Sequence, residues 1–118
     1  MPLPEPRCTC PGAELTQVRE DYQSADRAAQ FRVSDRAFYY PAFPVNRYIP
    51  FSCLTGVTVR RSSLPTIGCC GKELPVLKLT LCYAGGELEQ IIDPPKHVDT
   101  ILTRICAARP DLAPDDRR

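Results

Sequence analysis

Seven basic residues, Arg32, Arg36, Arg47, Arg60, Arg61, Lys72 and Lys78, fall between Gln30 and Thr80, against only Asp35 and Glu73. Guanidinium and ammonium groups hold phosphates and carboxylates. If Arg32, Arg36, Arg60, Arg61 and Lys72 converge on one rim, they could bind a phosphate, an anionic lipid surface or an acidic partner. The simpler reading is a solvated strand face on which charged and apolar residues alternate. The flanking stretch 13–29 carries Glu14, Glu20, Asp21 and Asp26 against Arg19 and Arg27, and the whole chain has a formal charge of only +1. Nucleic-acid binding rests on many uncompensated cations, so no nucleic-acid partner is expected.

The seven cysteines are the second chemical resource. Cys8-x-Cys10 and Cys69-Cys70 together offer four thiolates, the ligand set of a tetrahedral zinc site. Zinc pairs usually hold two residues between their cysteines, so this spacing fits poorly and no metal is expected. A Cys69-Cys70 disulfide would strain its own peptide and be labile, which leaves a thiol role open. The odd count and the lack of an export signal argue against a disulfide framework and make the cytoplasm the expected compartment. Cys53, Cys82 and Cys106 sit in or beside periodic segments, where a thiol behaves as a small hydrophobe.

His97 is the sole histidine. Its nearest acids, Asp93 and Asp99, are better explained as a helix cap and a first-turn acid than as catalytic partners. No glycine-rich phosphate loop, Ser-His-Asp order or His-x-x-x-His pair is present, so the chain reads as no enzyme and as needing no cofactor. Phe43 in Pro41-Ala42-Phe43-Pro44, Tyr48, and Cys69 with Cys70 are the candidates for a contact surface.

These residues must be positioned by regular elements. At 118 residues, with 43% hydrophobic and 25% charged, the chain has the size and composition of one domain, and no apolar run is long enough to span a membrane. Residues 1–12 are rich in proline and read as an arm. Residues 13–29 are rich in helix formers, with Leu15, Val18, Tyr22 and Ala25 spaced three and four apart, which predicts an N-terminal helix. Strands are expected across 30–92. Phe31–Val33 and Ala37–Tyr40 form a hairpin around Ser34-Asp35-Arg36, Tyr48–Phe51 is marked by Pro50 as an edge or irregular strand, and Val57 begins a strand running to about Ser62. Ser63–Glu73 reads as the longest loop. Leu77, Leu79, Leu81 and Tyr83 alternate with polar residues, Ala84-Gly85-Gly86 turns the chain, and Glu87–Ile92 returns. A C-terminal helix over 94–109 follows, with Val98, Ile101, Leu102 and Ile105 on one stripe, and 110–118 is a polar tail.

The runs Phe31-Arg32-Val33-Ser34-Asp35-Arg36-Ala37-Phe38-Tyr39-Tyr40 and Ile49-Pro50-Phe51-Ser52-Cys53-Leu54-Thr55-Gly56-Val57-Thr58-Val59, with the closing hairpin and helix, resemble bacterial pleckstrin-homology-like and GRAM-like domains. The resemblance covers roughly residues 30–109. It implies an α+β fold, a bent antiparallel sheet or partly open barrel of about six to seven strands capped by the C-terminal helix, to which this chain adds an N-terminal helix. It also implies a non-catalytic adaptor that binds a protein or self-associates. The alternatives are peripheral binding of anionic lipid or phosphate through Arg32, Arg36, Arg60 and Arg61, and a thiol or metal role for Cys8, Cys10, Cys69 and Cys70.

Overall fold

A computed structural model describes residues 5–65, 73–92 and 95–117. The candidates Cys69, Cys70, Lys72 and Asp93 lie outside the described residues. The described chain is α+β, with two helices and two separate sheets of five and four strands, and the sheets do not close into a barrel.

The first sheet comprises β1 (Arg7–Cys8), β2 (Asp26–Ala28), β3 (Phe31–Val33), β4 (Ala37–Tyr40) and β5 (Arg47–Pro50), in the spatial order β1-β5-β4-β3-β2. All four residues of β4 are buried, because both faces of the sheet are covered. Phe38 and Tyr40 point to the main core with Phe31, Val33 and Ile49, whereas Ala37, Tyr39 and Tyr48 face the other way, beneath α1 (Val18–Ser24). Pro50 stands opposite Ala37 and β5 lies between β4 and β1, so β5 is an interior strand rather than an edge.

The N-terminal helix is shorter than its composition predicts. Helix α1 spans 7 residues and stops at Ala25, whose backbone is extended. Asp26–Ala28 then pairs with β3, which exchanges a frayed last turn for a sheet ladder and buries Ala28 completely. The proline-rich arm is likewise no simple extension. Its Arg7 and Cys8 add in parallel to β5, and Cys10 is buried in the core.

A 3₁₀ turn at Phe51–Cys53 carries the chain into the second sheet, made of β6 (Leu54–Pro65), β7 (Glu73–Tyr83), β8 (Gly86–Ile92) and β9 (Asp115–Arg117) in the order β8-β7-β6-β9. Strands β6 and β7 pair from Leu54↔Tyr83 to Pro65↔Glu73, so the expected long loop after Ser62 is in part strand. The β7–β8 turn is closed by Ala84 and Gly85, and Gly85 has φ +104°, a conformation that suits glycine. Val57, Val59, Leu77, Leu79, Leu81 and Ile92 face inward. Against them and the first sheet packs α2 (Lys96–Ala108), through Val98, Ile101 and Ile105. The C-terminal tail ends as β9, parallel to β6, where the sequence suggested only a polar tail.

Candidate functional site

Strand register sorts the basic residues. On β6, Val57 and Val59 point to the core and Thr58 and Arg60 point outward. Thr58 lies opposite Thr80, and Arg60 opposite Lys78. On the far side of β7, Thr80 faces Glu89 and Cys82 faces Glu87. These side chains line a shallow groove of about 360 Å³ on the outer face of the second sheet, bordered also by Arg61. Arg61 alternates to the Leu77 side of the ladder, where the core ends, and is exposed.

The tail completes this face. Asp115 stands beside Thr58 and Arg117 beside Arg60, so Arg117, Arg60 and Lys78 form one cationic row across three adjacent strands. Like charges directly opposite each other destabilise a sheet. The end members of the row are partly compensated: Lys78 Nζ lies 3.1 Å from Glu89 Oε1, and Arg117 Nε lies 3.0 Å from Asp115 Oδ2. Arg60, in the middle, makes no ion pair among the described residues. The geometry suits an acidic, extended ligand: a cationic row, two threonine hydroxyls and a strand edge sit side by side. The adjacent Glu87 and Glu89 disfavour a dense array of phosphates.

Arg32 and Arg36 are elsewhere. Arg32 stacks 4.4 Å over the Tyr22 ring and donates from Nη1 to the Tyr22 carbonyl at 3.0 Å. Arg36 donates from Nη2 to the Thr16 carbonyl at 2.6 Å and sits 3.5 Å from Asp21 Oδ1. Both clasp α1 to the first sheet, so the four arginines proposed together from sequence do not line one groove. Phe43 is 93% exposed at the β4–β5 connection, but Tyr48 is 2% exposed, its hydroxyl accepting the Leu15 N–H at 3.0 Å, and so offers no contact surface.

Among the thiols, Cys8 and Cys53 both pack against the core that contains Cys10. Burial, and then the hydrogen bond and charge interaction with Cys53, push the Cys10 thiol up to about 12. Burial also raises Cys8. The thiolate is the nucleophile and the metal ligand, so this environment disfavours both roles for Cys10. No cluster of three or more metal-ligating side chains occurs among the described residues. His97 is half-buried at the start of α2.

Sequence reasoning missed Lys78, Thr58, Thr80 and Arg117 as neighbours of Arg60. The signal for the first three was the period-2 parity of two paired strands; Arg117 has no such signal, because Asp115-Asp116-Arg117 has little strand propensity. No protein-family model, curated protein or solved structure matches the chain. No helix among the described residues is long and apolar enough to cross a membrane.

Proposed function

We propose that this chain is a non-catalytic binding module of the pleckstrin-homology-like kind, acting as an adaptor that holds an acidic, extended segment of a protein partner along β6. The observation that carries this reading is the row Arg117, Arg60, Lys78, kept at directly opposed positions despite the repulsion among its members. Carboxylates of a partner would relieve that repulsion at Arg60, and β6, of whose outer edge β9 covers only Thr58–Arg60, supplies main-chain donors and acceptors to an added strand. The succession of two antiparallel meanders, β2 to β5 and β6 to β8, closed by α2, supports the pleckstrin-homology-like part of the reading. Arg32 and Arg36 being held on the other sheet favours a peptide over a membrane surface.

Panning a displayed library of short random peptides on the full chain tests this. Asp and Glu should be enriched at alternating positions, and selected peptides should lose at least tenfold in affinity to Arg60→Glu, with weaker binding at higher salt. No acidic enrichment, or affinities indifferent to Arg60→Glu, would refute the reading. Flotation with vesicles rich in phosphatidylserine, abolished by Arg60→Glu and without peptide enrichment, would replace it with lipid binding.

A further inference from the structure

Strand β9 is an unusual edge strand. It is three residues long, all exposed, and covers only Thr58–Arg60 of the 12-residue β6. Its connection to α2 is anchored close by: Arg109 donates from Nη1 to the carbonyls of Phe51 at 2.8 Å and Leu54 at 3.3 Å, and grips Asp111 through two hydrogen bonds. Leu112 packs against the core. Beyond that anchor a short parallel ladder joins the tail to β6, and its register sets Arg117 directly beside Arg60, a repulsive pairing.

We infer that residues 115–117 are a built-in competitor strand, seated on the β6 edge until an acidic extended peptide displaces it. The inference rests on the proposed binding function and adds its regulation and the partner's chemistry. The seated tail is itself the evidence for the occupant. Asp115 stands beside Thr58, on the same face as Arg60 and Lys78, so an acidic residue fits there, whereas the tail's own Arg117 is the mismatched member. A partner with a carboxylate in the place of Arg117 keeps the ladder and replaces repulsion by attraction. The anchor at Arg109 and Leu112 keeps the displaced tail close, so it competes at high effective concentration and raises the threshold for binding without blocking it.

The test uses the full chain and a fluorescent peptide of residues 111–118 carrying Arg117→Glu. Successive amides of a strand point to opposite sides, so the double substitution Asp115→Pro/Asp116→Pro removes a ladder donor whichever amide faces β6. Asp115→Lys/Asp116→Lys releases the tail by charge and guards against an effect peculiar to proline. Hydrogen exchange at Thr58–Arg60 reports whether the edge is covered. Both variants should lose protection there, bind the peptide about tenfold more tightly than the unaltered chain, and regain protection when it binds. Arg117→Glu in the full chain should act in the opposite sense and weaken peptide binding. Equal peptide affinity in all chains, with protection restored, would overturn the competitor role and leave the binding function standing. Absence of peptide binding and of restored protection in variants whose edge is demonstrably open would overturn both. Exchange at Thr58–Arg60 that is unprotected in the unaltered chain would overturn the competitor role.

Discussion

The Tyr39 hydroxyl donates to Asp21 Oδ2 at 2.5 Å, tying the middle of the first sheet to helix α1. The same carboxylate oxygen accepts from Ser34 Oγ at 2.7 Å, and Asp21 Oδ1 lies 3.5 Å from Arg36 Nε. Ser34 and Tyr39 are both buried, and burial together with the Asp21 carboxylate holds the Tyr39 phenol far above its ordinary range. One acid therefore satisfies two buried hydroxyls. Asp21→Ala should leave the buried Tyr39 hydroxyl without its acceptor and Ser34 Oγ donating only to the Ala37 carbonyl at 3.4 Å, and cost about 1–3 kcal/mol in chemical denaturation. Asp21→Asn, which keeps an acceptor, should cost less. Equal losses for the two would contradict a role through hydrogen bonding.

Ile101 is completely buried, on the inner stripe of α2 in the main core. Ile101→Ala should cost about 2–5 kcal/mol, through lost apolar burial and the cavity left behind. Leu102, one position along and half-buried, should tolerate alanine better. A Leu102→Ala loss as large as that of Ile101→Ala would mean that α2 is rotated relative to the structure described here.

Arg104 donates from Nε to Asp26 Oδ2 at 3.0 Å and also pairs with Asp35, bridging α2 to β2 and to the β3–β4 turn. The partners keep considerable solvent contact, with side-chain exposures of 49% for Asp26 and 80% for Asp35. Arg104→Ala should therefore lower Tm by no more than a few degrees, and the difference should shrink further in about 0.5 M salt. A loss that salt leaves unchanged would point to packing of the arginine stem instead.

The legible parts of this fold are those in which local pattern and tertiary pairing agree. Leu77, Leu79 and Leu81 alternate as a half-buried strand should, Ala84-Gly85 closes the turn, and Val98, Ile101 and Ile105 mark the buried stripe of α2. Residues 25–29 were misleading for a specific reason. Ala28-Ala29 favours helix, and the β2–β3 reversal places a left-handed backbone on Ala29, φ 58°, where a glycine or asparagine would have signalled a turn. Strands β1 and β9 are two and three residues long, and both pair in parallel with distant segments, so nothing local announces them. The candidate site was half legible for the same reason. Arg60 and Arg61 stood out, but their neighbours depend on register between strands and on a tail that joins the sheet from the end of the chain.

Cys10 offers a pH signature with a definite sign. The residue is 4% exposed, and burial first, then Cys53, raise its thiol from an ordinary value of 9.0 to about 12. Between these values the unfolded chain has lost the Cys10 proton while the folded chain retains it, so the folded state binds more protons and its stability must fall as pH rises. Below about pH 9 this group contributes no slope. Burial raises Tyr39, Tyr40 and Tyr48 as well, which adds a loss of the same sign at higher pH, so the Cys10 contribution has to be isolated by substitution. Denaturation from about pH 7 to 10.5 should show the unaltered chain losing stability above about pH 9 more steeply than Cys10→Ala, whatever their offset at neutral pH. Alkylation of the folded protein should modify Cys10 more slowly than half-buried Cys106. Parallel stability curves for the two chains, or alkylation of Cys10 as fast as that of Cys106, would mean that the Cys10 thiol is not held protonated in the core.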